Sequence, residues 1–208
     1  MKKIIFFVFG ILFIASCSSS KLLKTDSFSS EERKLIMNAD NLKPMRVYKI
    51  TNKSDSLLLR KKSSYIKPNK DDIVLKNFVK RLFSTVRDSM SLGVGIAAPQ
   101  VGVLKNIIWV QRLDKENLPF EVYLNPKITS YSEETQTVQE GCLSIPDRSE
   151  TLNSRSQKIT LEYDTLESEH KTESVEGFTA VIFQHEIDHL NGILYLDHLQ
   201  KEMEDAKK

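Results

Sequence analysis

Between residues 72 and 90, apolar side chains recur at Leu75, Phe78, Val79, Leu82, Phe83, Val86 and Met90, the spacing of one helix face, and predict an amphipathic helix. A second run, 176–191, carries Phe178, Val181 and Ile182 in phase with His185 and His189 and stops at Gly192, so a buried helix is expected to bear two histidines. Residues 31–38 form a short helical candidate with Ser30 as N-cap. Strand patterns fall at 107–110, 120–124, 128–131, 135–138 and 158–163, with Asn125-Pro126 punctuating the second and third. Segments 44–50 and 57–59 read as weaker extended stretches around a polar turn at 51–56. Two glycines and a proline make 93–100 a loop. Strands in the middle with helices at both ends predict an α+β fold.

The first residues change the picture of where the chain works. Lys2 and Lys3 precede an apolar run of 11 residues, 4–14, which fits a secretory leader and is too short to span a bilayer. It ends in Ile14-Ala15-Ser16-Cys17, which resembles the lipobox of bacterial lipoproteins, where cleavage leaves a lipidated cysteine as the new N-terminus. The expected organisation is a signal peptide over 1–16, a lipidated Ser-rich tether over 17–30 and one catalytic domain over 31–208. The protein is then expected at the bacterial cell envelope, held to the membrane through Cys17 and folded outside the bilayer. A length of 208 residues leaves no room for a second full domain.

Setting aside Lys2 and Lys3 from the 30 Lys and Arg leaves 28, against 28 Asp and Glu, so the mature chain has no electrostatic case for nucleic acid. With Cys17 committed to lipid, Cys142 is the single remaining thiol and no intramolecular disulfide can form.

His185-Glu186-Ile187-Asp188-His189 is an H-E-x-x-H pattern, and on a helix the i, i+4 spacing places both imidazoles on one face within reach of one metal ion. A catalytic site of this type needs a third protein ligand. The zincin extension would put a histidine at 195, where this chain has Tyr195, and only 19 residues follow His189. The missing ligand is therefore sought upstream, where Glu140-Gly141-Cys142-Leu143-Ser144-Ile145-Pro146 offers a thiolate in a turn.

Three separated motifs now stand in order: Gly93-Val94-Gly95-Ile96-Ala97-Ala98-Pro99-Gln100, Glu140-Gly141-Cys142-Leu143-Ser144 and Gln184-His185-Glu186-Ile187-Asp188-His189. Together they resemble the peptide deformylases over roughly residues 44–199. The resemblance implies an α+β fold with small antiparallel sheets packed around a central metal-binding helix. It implies that Cys142, His185 and His189 hold one divalent metal, Fe(II) in the family's native enzymes, with a water as fourth ligand. Zn(II) or Ni(II) also suits this ligand set.

By the same resemblance Glu186 is the general base and acid, and Gln100 and the backbone N–H of Leu143 stabilise the developing oxyanion. The implied substrate is an N-formylmethionyl peptide, paired with backbone at Val94 and Gly95, its methionine in an apolar pocket formed by Val94, Val138, Phe178, Val181 and Ile182. Glu140 and Arg155 are candidates for an ion pair steadying the Cys142 turn. Two competing readings remain. A metallopeptidase or amidase would use the same metal and Glu186. An envelope metal-binding or peptide-binding lipoprotein with a relict active site would need a fourth ligand, and neither His170 nor His198 has suggestive spacing.

Overall fold

The structure, a computed structural model, describes residues 27–88 and 93–208; the leader, Cys17, most of the tether and Met90 lie outside the described residues. Helix α1 (Ser30–Met37) starts one residue earlier than its pattern implies, because Ser29 rather than Ser30 is the N-cap. Its hydroxyl accepts from Glu32 N–H while Glu32 accepts from Ser29 N–H, a reciprocal cap. Phe28, only 4% exposed, packs edge-to-face on Phe78 with ring centroids 5.7 Å apart, so the folded part begins inside the expected tether.

Helix α2 (Lys53–Leu59) replaces the expected turn at 51–56 and the extended stretch at 57–59. Asn52 accepts from Ser54 N–H and Asp55 N–H, a cap that outweighs the weak strand pattern. Helix α3 (Ile73–Val86) lies within the predicted 72–90, capped by Asp72. The expected loop at 93–100 instead forms strand β1 (Gly95–Ala97) and a 3-10 turn over Ala98–Val101.

Strand β2 (Ile107–Gln111) is followed by β3 (Phe120–Tyr131), one strand where two were expected. Asn125 does not end it: at φ 52° it forms a bulge, and its side-chain amide pairs with both backbone groups of Ile66. Strands β4 (Thr135–Cys142) and β5 (Ile145–Ser156) form a separate two-stranded sheet. Strands β6 (Lys158–Asp164) and β7 (His170–Glu176) complete a five-stranded antiparallel sheet in the order β1-β2-β3-β6-β7. The sequence pattern gave no sign of β5 or β7. Strand β7 is a polar edge strand with Val175 its one buried side chain, and β5 carries Arg155 and Ser156 at buried positions.

Helix α4 (Gly177–Leu190) contacts both sheets, and α5 (Tyr195–Asp205), for which no helical pattern was read, runs beside β5. The large sheet is covered on both faces, which explains the unbroken apolar run of β2. Ile107 joins Phe78, Leu82 and Val86 of α3, and its neighbour Ile108 joins Ala180, Phe183 and Ile187 of α4. Among the described residues no helix is long and apolar enough to cross a membrane.

Candidate metal centre and active site

The site assembles where α4 passes the end of the β4–β5 hairpin. One helical turn separates His185 and His189, whose ring centroids lie 5.0 Å apart. Cys142 ends β4 opposite Ile145, so the tight turn through Leu143 and Ser144 turns its sulfur toward the helix. Cys142 Sγ is 3.2 Å from His189 Nε2, and the Cys142, His185 and His189 donor atoms all lie within 4.8 Å of one another. Gln184 fixes the hairpin to the helix: its amide accepts from Ser156 N–H and donates to Ser156 C=O, both at 3.0 Å.

Glu140 sets the orientation of His185. It accepts from His185 Nδ1 at 2.6 Å, leaving the other ring nitrogen for the centre, and is held by Arg155 through contacts of 2.6 and 3.0 Å. Burial works against the Glu140 carboxylate, but His185 and Arg155 outweigh it and bring its pKa down to about 2. Burial likewise opposes a Cys142 thiolate, and the imidazoles of His189 and His185 overcome it, holding the thiol well below its ordinary range. A thiolate with two imidazoles, open on the cleft side, is the three-donor set of a catalytic divalent-metal site.

Glu186 stands apart from the three donors. It is 4% exposed, Oε2 has no hydrogen-bond partner among the described residues, and burial pushes its pKa up to about 7 against the pull of both histidines. Such a carboxyl is suited to taking and returning a proton near neutral pH. Gln100, 2% exposed, accepts from Ala97 N–H at 2.8 Å and points its amide nitrogen at Ser144 Oγ (3.3 Å) and Cys142 Sγ (3.5 Å).

The cleft leading to this centre has a volume of about 790 Å³. Val94, Gly95, Gln100, Leu143, Phe178, Val181, Ile182, His185 and Glu186 all line it, as the resemblance implies. Val138 does not: it pairs with Leu152 further along β4, past Glu140, and Ile145 of β5 supplies apolar lining instead. Met45 and Pro146 are further lining residues that no pattern singled out. Tyr195, at the zincin ligand position, is buried and stacked on His185 with centroids 6.0 Å apart.

These features agree with what is known of related chains. A family model for polypeptide deformylase matches residues 47–205. The peptide deformylase of Wolbachia sp. subsp. Drosophila simulans (strain wRi) is 43% identical over 136 residues, covering 61% of this chain and 74% of that protein. That of Caulobacter vibrioides is 34% identical over 158 residues, covering 75% and 88%. A solved structure of the class I type b peptide deformylase from Acinetobacter baumannii, bound to Met-Ala-Ser, superposes with a TM-score of 0.65 at 32% identity, covering 74% of this chain and 98% of that one. The chain belongs to the polypeptide deformylase family. It is a metal-dependent hydrolase that removes formyl groups, and the competing peptidase and binding-module readings fall away.

Proposed function

We propose that this enzyme deformylates N-formylmethionyl peptides at the bacterial cell envelope, tethered by lipid at Cys17, with Cys142, His185 and His189 holding Fe(II). The observation that carries the substrate is a buried, unpartnered Glu186 beside the three donors, at the end of an apolar cleft lined by Val181, Ile182 and Ile145. The Acinetobacter baumannii relative bound to Met-Ala-Ser, a peptide that begins with methionine, supports the same class.

The ion, when bound, supplies Lewis-acid chemistry at the formyl carbonyl and lowers the pKa of water. Glu186 takes a proton from the water that attacks the formyl carbon. Gln100 Nε2 and the Leu143 N–H donate to the formyl oxygen as charge builds there. The C–N bond then breaks, Glu186 returns the proton to the departing amine, and formate and a free N-terminus result. The apolar lining orients the methionine side chain and excludes water from it.

The Lys2-Lys3 start, the 11-residue apolar run and Cys17 support an exported enzyme, whose substrates are then peptides already released or exported. Formate release from a formyl-Met peptide by anaerobically Fe(II)-loaded protein, abolished by Glu186→Ala, tests the chemistry; activity only with Zn(II) or Ni(II) would reassign the ion. Fractionation with membranes and mass-spectrometric detection of lipid on Cys17, both lost in Cys17→Ala, test the location. A lipid-free protein in the cytosol would end that part of the reading.

A further inference from the structure

Helix α5 lines no part of the cleft and offers no donor, but besides the stacking of Tyr195 on His185 one of its faces is joined to the centre by consecutive hydrogen bonds. We propose that His198 is a positioning residue for the metal centre, holding His185 in place through Asp188, Arg155 and Glu140. The inference rests on the metal-centre reading and extends it to a residue of the C-terminal helix.

The links are continuous. His198 Nε2 donates to Asp188 Oδ2 at 2.8 Å, and the same oxygen accepts from Arg155 Nη1 at 2.7 Å. Arg155 Nε donates to Glu140 Oε1 at 2.6 Å, and Glu140 Oε2 accepts from His185 Nδ1 at 2.6 Å. Exposure rises along the series: the Glu140 and Arg155 side chains are 4% and 3% exposed, Asp188 18% and His198 30%. His198 therefore closes the outer end of the network. Among the described residues Asp188 Oδ2 has two donors, Arg155 and His198. Without His198 the partly exposed Asp188 carboxylate is free to turn toward water, and the buried Arg155 loses a fixed partner on the side away from Glu140.

The helix is itself fixed. Tyr195, His198 and Glu202 share one face at i, i+3 and i+7. Tyr195 donates its hydroxyl to Arg148 C=O at 3.0 Å, and Glu202 accepts from Asn153 N–H and Ser154 N–H at 2.9 Å each, on the strand that carries Arg155. His198 thus sits between two anchors of α5 on β5. Groups that orient a metal-binding histidine directly are worth roughly 10- to 100-fold in metal affinity, and a residue acting through three others is expected to give less.

The test is the rate at which a chelator removes Co(II) or Zn(II) from the full-length loaded protein, read by the cobalt spectrum or a zinc dye, together with the His185 Nδ1–H resonance. His198→Ala is expected to speed metal loss by roughly three- to tenfold and to broaden that resonance, and His198→Gln, which keeps a donor, to restore both. Glu202→Gln, which loosens α5 without touching Asp188, is expected to leave both unchanged. Wild-type rates in His198→Ala would overturn the proposal. So would equal losses in the His198 and Glu202 variants without rescue by glutamine, because His198 would then act only as helix packing. Failure of the deformylase reading would show differently, as no formate from the loaded wild-type protein whatever its metal off-rate.

Discussion

Gly95 and Glu186 approach so closely that a Cβ on Gly95 would stand 2.5 Å from Glu186 Oε1 and 2.8 Å from Ile182 Cγ2. Strand β1 therefore forms a wall against which the general base is set, and its glycine is required by contact with a helix 91 positions later in the chain. Gly95→Ala must push the carboxylate or the strand aside. We expect kcat/KM to fall by about 10²-fold while the protein still binds one metal per chain, because misplacement by about an ångström at a reacting group has that cost. Steady-state kinetics with metal analysis would check it; full activity would mean that β1 yields without moving Glu186.

Gln100 is buried and held from behind by Ala97 N–H, so its amide is aimed before any substrate arrives. Gln100→Leu removes the donor and keeps the volume. The expected loss is about 10²- to 10³-fold in kcat with little change in KM, the signature of a group used mainly in the transition state. Single-turnover formate release would separate this from weaker peptide binding.

Asp55, like Glu140, contributes to the acid limb of stability. The exposed Arg46 beside it, at 2.7 and 2.9 Å, and the Lys49 N–H hold its carboxyl below the ordinary value of 3.8, against the cost of burial. A pKa depressed by folding gives stability that is complete above the unfolded value and is lost as pH falls through the folded one. Asp55→Asn should therefore cost about 1 to 2 kcal/mol at pH 7 and progressively less below pH 4. Urea unfolding of both proteins at the two pH values measures this. Because Arg46, Val47 and Lys49 line the cleft, KM should rise in the same variant.

Phe28 and Ser29 belong to the fold although they lie in the Ser-rich stretch. A chain beginning at residue 31 should be less stable than one beginning at 27 by about 3 to 5 kcal/mol, and Phe28→Ala in the longer chain should reproduce most of the loss. Thermal unfolding of the three proteins decides it; equal stabilities would return the segment to the tether.

Much of this was legible without coordinates because it is written in local periodicity. The faces of α3 and α4, the pair His185 and His189, and the run of β2 each repeat within a few residues, and repetition at 3.6 or 2 positions is what a helix or a strand imposes on its own sequence. The residue types at Cys142, Glu186 and Gln100 likewise speak for themselves once their motifs are seen in order. Contacts between distant segments have no such signature. Tertiary structure alone decided that Ile145 rather than Val138 lines the cleft, since β4 passes the helix only at its end. It alone showed that Phe28 reaches Phe78, that polar β5 and β7 are strands, and that His198 meets Asp188 beside Arg155. The physical reason is that these residues are chosen by partners 10 to 50 positions away, and burial of a charge such as Arg155 is permitted by those partners rather than by anything in its neighbours along the chain.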